Sequence, residues 1–383
     1  MKSQSKSERG IISGAFPIII LLFVTLFSIV NKRLFYEYTN YALYINMLIS
    51  CGGFIFLKGV KKTTVIYLLL VTVYLLISIM VSDGGFGSVV TFLVPLFLFI
   101  YLSKANFTIA QMKLVRCMCV VLFLYEIYYS LRYAENYRLY ALSDINPNTI
   151  GMYIMFSFMI WSSLADLKNK VSRIFFFIGL FLALYGMYNC ESRGTSFALL
   201  TYSLFLVIPS KFISAKRIML ATIVITVVGT AFPFIYIALY KNNINFEMFG
   251  KTLYTGREGI WLNMFEAMND NFSAQIFGLG SKIELWEEHS LNVHNNYFNI
   301  IVNFGIIGFV LYFYFILKVM SVISRQYKDS TVYKFSMMFV SSVLLLGFSE
   351  TTSLWSVIFI FAYISIGLAY GKAKEVEEGV TND

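Results

Sequence analysis

The sequence predicts an all-α polytopic membrane protein of about 12 transmembrane helices, with one long extracytoplasmic loop that bears an interfacial helix. Hydrophobic residues make up 58% of the 383 residues and charged residues only 13%, where a soluble domain is roughly one-quarter charged. Apolar runs of span length recur along the chain, and Lys and Arg gather in alternate connections. The 38 Phe and 27 Tyr suit lipid-facing positions and interfacial belts. A net charge of +9 does not point to nucleic acid, because the basic residues stand in twos and threes between apolar runs rather than on one soluble face.

Taken in order, the candidate spans are 11–30, 41–57, 63–81, 89–102, 114–131, 150–166, 174–189, 195–209, 218–239, 297–317, 335–349 and 354–370. The shorter runs read as tilted or re-entrant pieces. The basic stretch MKSQSKSERG precedes an apolar run too long for a cleaved signal, so the first run reads as an anchoring span. The chain is expected to form one integral membrane domain over 1–383.

Basic residues accumulate in short cytoplasmic connections. With the N-terminus inside, the inner segments hold 21 of the 30 Lys and Arg. Both termini are therefore expected in the cytoplasm, and 240–296 becomes a large extracytoplasmic loop. Cysteines placed at Ser281 and Ser214 of a cysteine-free variant should differ in intact cells: an impermeant thiol reagent should label the first and spare the second. Labelling at Ser214 alone would reverse the orientation.

Four cysteines, Cys51, Cys117, Cys119 and Cys190, lie in or beside apolar runs. Cys117 and Cys119 lack the second pair that a zinc site needs, so all four read as small core residues.

The chemistry-bearing residues concentrate on the predicted outer face. Thr255-Gly256-Arg257-Glu258 forms a capping box that starts a helix. Ile260, Trp261, Met264, Phe265 and Met268 share one face of it, and it is too short to span, so it is expected in the membrane interface. Arg257 in its first turn suits an anion at a helix N-terminus; a snorkelling arginine is the alternative. Ser192-Arg193-Gly194 sits in a short outer turn, where a basic residue goes against the positive-inside trend. Phosphate binding and lipid anchoring both account for it. In Asn146-Pro147-Asn148 the proline sets a turn, and Asn148 is expected to cap the sixth span.

Both histidines lie in EEHSLNVHNNYFNIIVNFGIIGFV, residues 287–310. If a helix begins near His294, then Phe298, Ile301, Gly305 and Gly308 return to its face, and the two glycines admit a closely packed helix. His294 would stand at the outer end of that helix with Asn295 and Asn296 beside it, either as a base or as a satisfied structural residue. His289, farther into the acidic loop, is expected to be solvated.

Together these motifs resemble the bacterial O-antigen ligase and polymerase superfamily. His294-Asn295 with Gly305 and Gly308 is similar to its H-N-x-x-L…G-x-x-G signature, with Phe298 where Leu is usual. Ser192-Arg193-Gly194 is similar to its S-R-G turn, and Thr255-Gly256-Arg257 with Trp261 and Gly278-Leu279-Gly280 to its T-G-R…W…G-x-G segment; Asn146-Pro147-Asn148 fits more loosely. The likeness covers roughly 144–310. It implies a GT-C-type helical fold and metal-independent, cofactor-free, inverting glycosyl transfer at the outer face of the cytoplasmic membrane. The implied substrates are polyprenyl-diphosphate-linked glycans, donor and acceptor. The expected product is a cell-surface polysaccharide: O-antigen, capsule or exopolysaccharide. A flippase and a chain-length regulator are the implied partners.

Within that likeness, Arg193 and Arg257 are expected to bind the donor diphosphate and His294 to act as general base. Ser192, Thr255, Gly256, Asn295 and Asn148 would support them. A polymerase is favoured over a ligase, because the long loop offers little positive charge to grip a phosphorylated core acceptor. A lipid or sugar transporter is the competing class. It would be expected to show internal repeats, broken helices and ionisable residues at mid-membrane; no repeat is visible, and Glu126 and Glu350 are the main intramembrane acids.

Overall fold

The computed structural model describes residues 23–24, 62–82, 89–90, 92–94, 96–97, 100, 109–135, 147–163, 169–208, 212–244, 247–248, 251–252, 257–280, 293–325 and 331–350. Among them it is helical apart from a two-residue antiparallel hairpin, β1 (Glu247–Met248) and β2 (Lys251–Thr252). The helices are α1 (Lys62–Ser82), α2 (Ile109–Glu135), α3 (Pro147–Ser163), α4 (Lys170–Asn189), α5 (Arg193–Val207), α6 (Ala215–Lys241), α7 (Arg257–Asn269), α8 (Phe272–Phe277), α9 (Asn296–Arg325) and α10 (Thr331–Leu346).

Five described helices are long and apolar enough to cross a membrane: 62–82, 113–132, 170–189, 215–241 and 296–318. With α3, α5 and α10 they coincide with the third, fifth to ninth, tenth and eleventh predicted spans. The fourth is described only in pieces. The second and twelfth lie outside the described residues, as does the first apart from 23–24.

Side chains sort as a membrane bundle requires. On α1, Leu69, Leu70, Val73 and Met80 are exposed while Val71 and Leu75 are buried, so the apolar exterior is the surface that lipid or further spans cover. Every residue from 150 to 160 of α3 is buried. α3 packs against α2, α4, α5 and α10 and forms the axis of the main core. Polar residues set the helix starts: Asn169 accepts from Val171 N, Ser214 from Arg217 N and Asn271 from Ala274 N, each satisfying an amide with no partner in its own helix. Glycines admit bulky neighbours. A Cβ at Gly229 would lie 2.3 Å from the Tyr297 ring, which ties α6 to α9.

Three expectations change. α3 begins at Pro147, whose fixed φ suits the first helical position, so Asn148 lies inside the first turn and is not the cap. Cys119 and Cys190 are buried, but Cys117 is exposed on α2. The third change concerns Gly305 and Gly308. The helix face they were expected to offer to another helix is interrupted, because Gly305 has φ 64 and ψ −174 inside α9.

What fills the break is the loop itself. A Cβ at Gly305 would fall 2.1 Å from the Ile276 carbonyl oxygen, and Gly278, at φ 87, lies against the Asn303 backbone. Leu279 N donates to Val302 O at 2.7 Å. From α1, the Tyr74 hydroxyl sits between the carbonyls of Ile276, at 3.0 Å, and Phe304, and Ser78 Oγ donates to Phe277 O at 2.6 Å. Irregular backbone survives at membrane depth only where the protein satisfies it, and these donors do so. Gly305 follows the start of α9 by about 13 Å of helix rise, so α8 is a turn set well below the end of the bundle at which α9 starts. Gly305→Ala should cost about 3 kcal/mol or more, combining a glycine-only backbone geometry with a clash. Gly259→Ala on α7, where an added Cβ meets nothing within 4 Å, should be neutral. Thermal unfolding in detergent checks both; an unshifted Gly305→Ala transition would rule out the break.

Candidate functional site

Stretches far apart in sequence meet at one end of the bundle: the α4–α5 turn, the starts of α7 and α9, and residues 347–350 after α10. Their meeting point is the 347–350 turn. Asn296 N donates to Gly347 O at 2.7 Å, Asn295 Nδ2 to Phe348 O at 3.1 Å and Arg257 Nη1 to Ser349 O at 2.8 Å. A Cβ on Gly194 would lie 2.1 Å from Ser349 Oγ and 3.1 Å from its Cβ, so the start of α5 packs directly against this turn.

His294 is set by its backbone. Its φ is 49, a left-handed conformation uncommon for a residue with a Cβ and held only where surrounding structure determines it. Trp261 Nε1 donates to Val293 O at 2.6 Å on one side. Asn295 Oδ1 accepts from Phe298 N at 2.8 Å on the other. Asn295 is therefore the cap of α9, which starts at Asn296. His294 precedes the helix instead of opening its buried face, and its side chain is 23% exposed. The left-handed turn aims the imidazole across the helix end toward Glu350.

Glu350 joins the group together. Its Oε2 lies 3.3 Å from His294 Nδ1 and its Oε1 3.5 Å from Arg257 Nη2, and its side chain is only 7% exposed. A carboxylate so withdrawn from water loses much of its hydration, and its partners offset that loss. What the arrangement gains is placement: a carboxylate accepting Nδ1–H fixes the imidazole tautomer and leaves Nε2 as the proton acceptor. Glu350 was visible in the sequence only as an isolated acid near a span end. Its partners lie 56 and 93 residues away, and no local pattern reports such pairs.

Arg193 is the first residue of α5 and is exposed. It makes no hydrogen bond or ion pair with Arg257, Glu350 or His294 among the described residues, although Gly194 brings its helix against Ser349. Ser192 is buried. Its Oγ bonds Thr195 Oγ1 at 2.7 Å and abuts Gly151 of α3, so it seats the turn. Burial, then the nearby Glu126 carboxylate, pushes the Cys190 thiol in the same turn up to about 12, which makes it a packing residue and not a nucleophile. On α7, Trp261, Met264 and Met268 are buried, with Ile260 and Phe265 packed beside them, matching the predicted apolar face. Thr255, Gly256 and His289 lie outside the described residues.

A multi-helix membrane bundle that gathers a guanidinium, a carboxylate and an imidazole at one end has the parts of an interfacial group-transfer enzyme. A family model described as O-antigen ligase matches residues 178–313. Over that stretch, which contains Arg193, Arg257 and His294, the chain is similar to the O-antigen ligase family. No curated protein matches the chain. Glu350 lies beyond the matched stretch.

Proposed function

We propose that this protein joins polyprenyl-diphosphate-linked oligosaccharide repeat units into a cell-surface polysaccharide at the outer face of the cytoplasmic membrane. The observation that carries the reading is the Arg257–Glu350–His294 group at the end of the bundle where the long loop returns. In this reading His294 Nε2 takes the proton of the acceptor hydroxyl while that oxygen attacks the anomeric carbon. The bond from that carbon to the diphosphate breaks in the same displacement, inverting the centre. The leaving lipid diphosphate carries away the bond's electron pair, and Arg257 and Arg193 meet its charge. Glu350 orients the imidazole and stabilises its protonated form.

Transfer of the glycan to a different acceptor is the second reading, favoured by the description of the matching family. A transporter is the third, because the break in α9 and the buried Glu126 are features that transporters also use. An assay of the purified protein with a lipid-diphosphate-linked glycan as sole substrate separates them. Chain extension with release of free lipid diphosphate is expected. Extension only after a second acceptor is added would mean a ligase, and no covalent change under either condition would overturn the enzymatic reading.

A further inference from the structure

Below His294, α9 carries a stripe of amides. Asn295, Asn299 and Asn303 follow one another at four-residue spacing, so they share a face that turns by about 40° per step. That face lies between two apolar packings: Tyr297, Ile300 and Phe304 point into the main core, and Phe298, Ile301 and Val302 into the smaller core beneath α7. Asn299 is 8% exposed. Primary amides within a membrane bundle are costly unless they are spent on the protein or line a polar hollow.

The three are not spent alike. Asn295 uses both edges of its amide on structure, capping α9 and holding Phe348 O. Asn303 Nδ2 donates to Asn299 O at 2.8 Å and Asn299 Oδ1 at 2.9 Å. Among the described residues, no hydrogen bond reaches Asn299 Nδ2 or Asn303 Oδ1. Turning either amide over would set donor against donor or oxygen against oxygen, so the two bonds fix which atoms are left over. If these asparagines served only to join helices, the donor and acceptor would be paired across an interface. Instead, among the described residues, an amide donor and an amide acceptor without hydrogen-bond partners stand on residues one helical turn apart, in the first turns of α9 after His294.

We propose that Asn299 and Asn303 form an uncharged hydrogen-bonding subsite for the sugar ring that presents its hydroxyl to His294. This deepens the transferase reading above and rests on it. A neutral sugar ring offers hydroxyls that donate and accept, and its width is close to one helical turn, about 5.4 Å. An amide pair answers both roles without charge, whereas a diphosphate calls for arginines. The division of labour is therefore specific: arginines for the donor's leaving group, asparagines for the acceptor's ring.

The test measures equilibrium binding to purified full-length protein of two probes. One is the free oligosaccharide released by mild acid from the host's lipid-linked repeat unit; the other is a polyprenyl diphosphate without sugar. Asn299→Leu and Asn303→Leu should each weaken oligosaccharide binding roughly tenfold or more, the loss expected when a bound hydroxyl has no partner. Affinity for polyprenyl diphosphate should stay within about twofold of the parent, with unfolding temperature unchanged. Should a leucine variant fail to accumulate, Asn299→Ser and Asn303→Ser, which overfill nothing, should show the same selective loss. Oligosaccharide affinity that survives these changes would overturn the subsite, as would equal loss for both probes, the mark of a structural role. A parent protein that binds polyprenyl diphosphate but not the oligosaccharide would sink the subsite alone. Failure to transfer glycan despite binding both probes would sink the enzymatic reading and with it the acceptor role of the subsite, even where the asparagine variants still show the selective loss of oligosaccharide binding.

Discussion

Purified His294→Ala protein is expected to lose about 100-fold to 10,000-fold of its glycan-extending rate, the usual cost of removing a general base, while still reaching the membrane. The backbone complicates a simple reading of that variant, because φ 49 at this position suits alanine less well than histidine. His294→Asn resolves the difficulty. Asparagine visits the left-handed region more readily than other residues with a Cβ, so this variant keeps the turn between Val293 and the α9 cap while removing the base. Both variants should be inactive, and His294→Asn should match the parent in unfolding temperature. His289→Ala, in the acidic stretch that precedes α9 in sequence, should leave polymer nearly unchanged. Full-length polymer made at the parental rate by a well-folded His294→Asn protein would remove this imidazole from the mechanism.

The described spans were legible because a bilayer imposes length and apolarity that leave a direct trace in sequence, and the alternation of Lys and Arg gave an expectation of which connections share a side. That assignment places the α4–α5 turn, the long loop and the 347–350 turn on one face, and these three meet in the structure. The chemical types of Arg257 and His294 were legible too. Their shared partner was not: Glu350 joins them through contacts that only tertiary packing creates. Periodicity also misled at Gly305. Two glycines three apart on a helix face fit close helix packing and a helix break equally well, and the choice rests on the Ile276 carbonyl occupying the space a Cβ would need. Asn299 and Asn303 were passed over because asparagine in an apolar run carries no motif; what draws attention to them is which of their amide atoms have no hydrogen bond among the described residues.

Arg257→Lys is expected to cost about 100-fold or more in rate, the scale of losing one well-placed charge-stabilising donor, although the formal charge is kept. One guanidinium here contacts Ser349 O and the Glu350 carboxylate through its two terminal nitrogens. A compact ammonium on a flexible stem cannot reproduce that fork and also present a flat edge to a diphosphate. Lysine at 257 should therefore loosen the 347–350 turn and lower the unfolding temperature as well as the rate, because Glu350, only 7% exposed, loses a shaped partner and its hold on His294 slackens. Arg193→Lys should differ in one respect. Its side chain is exposed and outside that group, so it should lose activity with no change in unfolding temperature. Glycan made at the parental rate by both lysine variants would mean that the arginines anchor lipid headgroups and take no part in transfer. Parental activity in Arg257→Lys alone would move the diphosphate to Arg193 and leave Arg257 as the tether of the turn that carries Glu350.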